Sequence, residues 1–64
     1  MYKYGDGINV TMADTERNRK RGIKPGEKGT VIGYDIEDED TLLYHIKIGG
    51  LSNLFSAEDI SGVS

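Results

Sequence analysis

The sequence predicts a small all-β domain of five strands, and three observations carry the prediction. Apolar residues come in short runs that alternate with polar ones, and no stretch repeats them every three or four positions over the length of a helix. Nine glycines and one proline punctuate those runs. The 64 residues suffice for one domain, and a chain of that size buries only about 60% of the surface it exposes when unfolded, so its core must be compact.

Gly5-Asp6-Gly7 is a turn-prone entry, after which Ile8, Val10 and Met12 alternate with Asn9 and Thr11 as the first strand. Ala13 to Arg21 is almost wholly polar. Thr15 is placed to cap a helix, Glu16 lies early, the basic residues lie late and Gly22 can terminate it, an order that suits the helix dipole. The segment is nevertheless shorter than the roughly 12 to 15 residues an isolated helix needs, and it has no apolar face. A mobile excursion with at most a single turn of helix is expected. Ile23, the one clearly apolar residue between Met12 and Val31, is expected to tuck back and anchor the returning arm.

Pro25-Gly26 fits the central positions of a type II turn over Lys24 to Glu27. The second strand is expected from Lys28 to Ile36, with Val31, Ile32, Tyr34 and Ile36 placing apolar groups on both faces. Gly29 and Gly33 remove side chains where a strand bends or another backbone comes close. Such a strand suits a tightly curled barrel. Glu37 to Asp40 reads as a solvated hairpin connection, and Thr41 to Ile48 as a strand with Leu42, Tyr44, Ile46 and Ile48 on one face. Gly49-Gly50 supplies positive φ for a two-residue turn, so Leu51 to Phe55 returns antiparallel. Ser56-Ala-Glu-Asp reads as a capped 3₁₀ turn, and Ile60 to Val63 as a short closing strand.

Taken together, Gly5, Asp6, Ile8 and Val10, then Gly26-Glu27-Lys28-Gly29-Thr30-Val31-Ile32, a hairpin, a strand, Glu58-Asp59-Ile60 and a final strand resemble a small SH3-like barrel of the KOW type. That family occurs in ribosomal proteins and transcription elongation factors. The chain is also similar to lone SH3-like proteins encoded by bacteriophages and prophages. The resemblance covers nearly the whole chain. It implies a barrel with a long loop between strands 1 and 2, and contact with RNA, DNA or a ribonucleoprotein beside the glycine turn. Lys24, Lys28 and Thr30 fall at the matching turn, with Arg17 to Arg21 in the preceding loop. The loop is longer than a KOW unit usually carries and the chain is acidic, which favours a protein-binding role as the alternative.

Charge sharpens both readings. The net charge of −3 argues against coating nucleic acid by bulk electrostatics. Its distribution is polarised: Arg17, Arg19, Lys20, Arg21, Lys24 and Lys28 stand against only Glu16 and Glu27, while Asp35, Glu37, Asp38, Glu39 and Asp40 form an acidic run with no base. The six basic residues are the candidate nucleic-acid contacts, since each neutralised phosphate releases a counterion. The plain alternative is a solvated loop latched to the acidic run. Tyr2, Tyr4 and Tyr34 are the candidate protein contacts, because SH3-like barrels present aromatic rings in grooves for extended peptides; Tyr44 and Phe55 read as core.

No residue pattern points to catalysis, so a non-enzymatic binding module is expected. The glycines, lysine and threonine of Gly22 to Thr30 lack the spacing of a phosphate-binding P-loop and precede a strand rather than a helix. The acidic run lacks the glycine and terminal glutamate of a calcium loop. His45 is the sole histidine and lies on the outward face of its strand. With no cysteine there is neither a disulfide nor a thiolate metal site, and neither a cofactor nor a metal is expected. No apolar run long enough for a signal peptide or membrane span is present. A complete, soluble, cytoplasmic monomer is the expectation.

Overall fold

The computed structural model describes residues 3–64. In chain order the elements are β1 (Asn9–Met12), α1 (Glu16–Lys20), β2 (Lys28–Asp38), β3 (Thr41–Ile48), β4 (Leu51–Ser56), a 3₁₀ turn (Ala57–Asp59) and β5 (Ile60–Val63). The expected five-strand, all-β order is present, and every pairing is antiparallel. The strands lie in one sheet in the order β4-β3-β2-β1-β5. No ladder joins β4 to β5 among the described residues, so the hydrogen-bonded sheet is open rather than closed into a barrel. It curls nonetheless, because Phe55 of one edge and Ile60 of the other share a single buried cluster with Tyr4, Val10, Met12, Val31, Tyr44 and Ile46. Ile23 packs against that cluster, as expected, together with Leu42 and Ile48. Burying a side chain of this kind contributes about 1.5 to 3 kcal/mol by removing it from water.

The turns follow from their glycines. Gly26 has φ +83° and the Glu27 amide donates to the Lys24 carbonyl at 3.1 Å, the geometry of a type II turn after Pro25. At Gly49-Gly50 only Gly49 has positive φ, which places a single left-handed residue first in the turn, as in type II′. Gly29 answers a different need. A Cβ there would lie 2.6 Å from Ile46 Cγ2 and 2.8 Å from Ile48 Cγ1, so β3 can approach β2 only because the side chain is missing.

β2 departs from the expected strand in two respects. Val31 pairs with Ile46 and Gly33 with His45, leaving Ile32 as an extra residue. This is a β-bulge, which bends the strand and puts Ile32 at half exposure instead of in a second apolar face. The strand also runs to Asp38, two residues past its expected end. The Asp38 carboxylate accepts the Asp40 amide at 2.9 Å, a local turn that tightens the connection to Glu39-Asp40. The acidic run therefore lies along a projecting β2–β3 ribbon more than in a loop.

The aromatic rim needs one correction. Tyr4, expected at the surface, is only 4% exposed; its ring meets Tyr44 edge-on with centroids 5.3 Å apart. The Gly5-to-Gly7 turn folds the segment before β1 over the end of the core, with the Gly7 amide bonded to the Val31 carbonyl at 2.7 Å. The buried Tyr44 hydroxyl accepts the Lys3 amide at 2.9 Å. Tyr2 lies outside the described residues. Among the described residues no helix is long and apolar enough to cross a membrane.

Candidate functional site

The basic loop is organised by an acid that its own sequence does not contain. Thr15 caps α1, its hydroxyl oxygen accepting the Asn18 amide at 3.1 Å, and the same hydroxyl donates to Asp59 Oδ1 at 2.9 Å. Two residues on, Arg17 Nε lies 3.3 Å from both Asp59 oxygens, and its Nη2 reaches Oδ1 at 3.2 Å and Ser56 Oγ at 3.1 Å. Arg21 Nη1 approaches Asp59 Oδ2 at 4.0 Å. Asp59 is 1% exposed, so these donors replace the water it has lost. Burial alone would push the Asp59 carboxyl up. The hydrogen bonds from Arg17 and Thr15, the Arg17 charge and the Ser56 backbone outweigh it and hold the carboxyl below its ordinary value.

Asn18 completes the attachment. It is fully buried, and its amide donates to the carbonyls of Ala13 at 2.9 Å and Asp59 at 3.0 Å. Its Oδ1 has no partner among the described residues. The helix then closes with a left-handed Gly22, the Ile23 amide reaching the Asn18 carbonyl at 2.9 Å and the Gly22 amide the Arg19 carbonyl at 3.0 Å. That is a Schellman ending, and it delivers Ile23 to the core. The helical turn, the most this segment was expected to form, is present, and where a mobile excursion was expected it is fastened by polar burial rather than by an apolar face.

This arrangement sorts the six candidate nucleic-acid contacts. Arg17 and Arg21 face Asp59, and the Arg21 guanidinium also lies 4.6 Å over the Phe55 ring. Arg19 makes a two-pronged contact with Asp14 at 2.7 and 2.8 Å, which lowers the Asp14 carboxyl through the hydrogen bond to Arg19. Lys20 pairs with Glu16 at 3.6 Å one helical turn back. Among the described residues, Lys24 and Lys28 have no acid within ion-pair distance. The loop is latched to Asp59 and Glu58, with Asp14 and Glu16 inside it, instead of to the acidic run. Asp35 of that run pairs with His45 at 3.1 Å.

Of the aromatic candidates, Tyr34 stands opposite Tyr44 on β2 and is 41% exposed. Ile36, two residues on and opposite Leu42, is 61% exposed. The structure thus brings Tyr34 together with Ile36 and the acidic run on one ribbon, and removes Tyr4 from that set. Sequence reasoning overlooked Asp59, Asn18, Asp14, Ile36 and Lys47. Ser56 three residues before Asp59 was the available signal, but it reads as a helix cap. In the structure the Ser56 side chain caps no amide, and its hydroxyl donates to Asp59 Oδ2 at 3.3 Å.

Among the described residues no group of three or more His, Cys, Asp or Glu side chains is placed to hold a metal ion. Comparison of the chain with protein-family models, curated proteins and solved structures finds no match in any of the three. The functional reading therefore rests on the side chains themselves. A buried carboxylate saturated by two arginines, a threonine and a serine is an attachment point for the loop. Among the described residues, exposed Ile36 on the β2–β3 ribbon and the lysines with no acid in ion-pair distance are the surface features that this attachment does not use.

Proposed function

We propose that this chain is a non-enzymatic binding module built on an SH3-like, KOW-like barrel, and that it engages a protein partner through the β2–β3 ribbon. The barrel reading is supported by the strand order β4-β3-β2-β1-β5, by the 3₁₀ turn before the last strand and by the core shared between both sheet edges. The observation that carries the partner reading is the juxtaposition on one ribbon of exposed Tyr34 and Ile36 with Asp35, Glu37, Asp38, Glu39 and Asp40. Tyr34 and Ile36 continue the face that carries Tyr44 and Leu42, with acidic side chains on the other face and at the tip of the ribbon, and such a ribbon suits a partner whose surface is apolar and basic. In this reading the protein acts as a cytoplasmic monomer until it meets that partner, as a phage-encoded regulator of a host protein would.

A pull-down from bacterial lysate tests it, using the wild type, Ile36→Ser, and a triple variant with Arg19, Lys20 and Lys24 changed to Ala. A partner lost by the Ile36 variant and kept by the loop variant supports the ribbon. The reverse pattern refutes it.

The second reading is an adaptor that touches nucleic acid or a transcription or translation complex through the basic loop. It is favoured by Lys24 and Lys28, which sit beside the glycine turn with no acid to neutralise them. Titration with short RNA and DNA at low and moderate salt decides it, and absence of binding at low salt removes it.

A further inference from the structure

We propose that the outer face of the sheet carries an anion site, separate from the ribbon, in which Lys28, Lys47 and the side-chain amide of Asn9 take a phosphate group. Asn9, Thr30 and Lys47 stand in one row across β1, β2 and β3, because Asn9 pairs with Thr30 and Thr30 pairs with Lys47. Lys28 lies two residues before Thr30 and so projects from the same face. Gly29 between them turns its missing side chain to the core, against Ile46 and Ile48, which keeps its neighbours outward. These residues, with Gly49 and Ser64, line an open depression that contains no Asp or Glu side chain, and the terminal carboxylate of Ser64 makes no ion pair with Lys28 or Lys47.

Two features make the depression suited to an anion. Thr30 Oγ1 donates to Asn9 Oδ1 at 2.8 Å, which occupies the Asn9 acceptor and leaves its amide N–H groups as donors. Lys28 and Lys47 are diagonal neighbours, about 7 to 8 Å apart at this kind of sheet position. Among the described residues neither has an acidic partner. Like charges so placed repel, and an anion seated between them converts that repulsion into two attractions. Two flexible point charges and an amide surround a tetrahedral group with several acceptors, whereas a planar carboxylate calls for the fork of an arginine. No aromatic ring lines the depression, so the site reads phosphate and not bases. Free phosphate compounds and the backbone of a nucleic acid share that chemistry.

Amide chemical shifts of the whole protein, followed by NMR during titration, test the site in two arms. One arm uses sodium phosphate against sodium chloride at equal ionic strength; the other uses a single-stranded thymidine dodecamer. Shifts centred on Asn9, Lys28, Thr30 and Lys47 in either arm, lost in a Lys28→Ala/Lys47→Ala variant whose remaining spectrum is unchanged, are the expected result. Saturation by phosphate alone identifies a small-molecule site. At least tenfold tighter binding of the dodecamer identifies the backbone, with affinity falling as roughly the 1.4 power of salt for two contacts. Shifts absent from both arms, equal in chloride, or retained by the double variant overturn the proposal. None of these outcomes depends on the ribbon.

Discussion

The Arg17 guanidinium meets the buried Asp59 carboxylate at 3.2 Å although the two residues stand 42 positions apart in sequence. Through this contact, and through Thr15 and Asn18, the polar segment after β1 is fastened to the turn before β5. Asp59 is the shared acceptor of Thr15, Arg17 and Ser56, so removing it unties all three donors at once. Asp59→Ala is expected to cost about 3 kcal/mol, against a total of roughly 3 to 10 kcal/mol for a chain this size. Arg17→Ala is expected to cost only about 1 kcal/mol, because Thr15, Ser56 and Arg21 still hold the carboxylate and water can enter where the half-exposed side chain stood. Urea midpoints of the two variants measure the difference, and equal losses would contradict the burial argument.

The same carboxylate sets an acid limit. Its folded-state pKa lies below the unfolded value, so its contribution is complete above the unfolded pKa, near 3.8, and is lost as pH falls through the lower folded value. Stability should be level from neutral pH to about pH 5 and fall below about pH 4. Asp59→Asn should flatten that fall. The urea midpoint measured from pH 6 to pH 2 for both proteins checks this, and parallel curves would exclude Asp59 as the group responsible.

Two glycines of one strand are expected to behave differently. Gly29→Ala drives a methyl into Ile46, Ile48 and the Lys47 carbonyl and should cost about 1 to 3 kcal/mol by overpacking. Gly33→Ala meets only His45 Cβ at 3.9 Å and should be neutral or stabilise by up to about 1 kcal/mol through the unfolded chain. Thermal unfolding of the pair is the measurement.

Two large apolar residues should diverge in the same way. Tyr4→Ala removes a buried ring from contact with Tyr44 and is expected to cost about 3 to 5 kcal/mol. Ile36→Ala, on the exposed ribbon, should lie within about 0.5 kcal/mol of the wild type. A large loss for Ile36→Ala in urea would mean that the ribbon is part of the stabilising core and not a free surface.

What was legible in the sequence was local. The alternation of Val10 with Met12, the run from Leu42 to Ile48, Pro25-Gly26 and Gly49-Gly50 fix strands and turns from neighbouring residues alone, and each is found where expected. What was not legible was the pairing of distant polar groups. Charge counting placed six cations in one loop, but Arg17 and Arg21 share Asp59 as a partner from 42 and 38 positions away. Asn18 carries no apolar signature, yet it is as buried as any residue of the core. Tyr4 read as exposed because the Gly5 turn, not strand alternation, decides its direction. Lys47 belongs to no charge cluster along the chain, and only the pairing of Thr30 with Lys47 sets it diagonal to Lys28.

The wide separation of the Asp59 contacts also orders events during synthesis. Arg17 leaves the ribosome 42 residues before the carboxylate that neutralises it, and β1 leaves before the β5 that covers one of its sides. Until then the nascent chain exposes an unneutralised basic segment beside a strand with an open edge. Contacts this distant in sequence also slow folding, because the chain must close a long loop before they form. In the newborn protein Arg17 and Arg21 lack this carboxylate, and the turn before the last strand is the segment that supplies it.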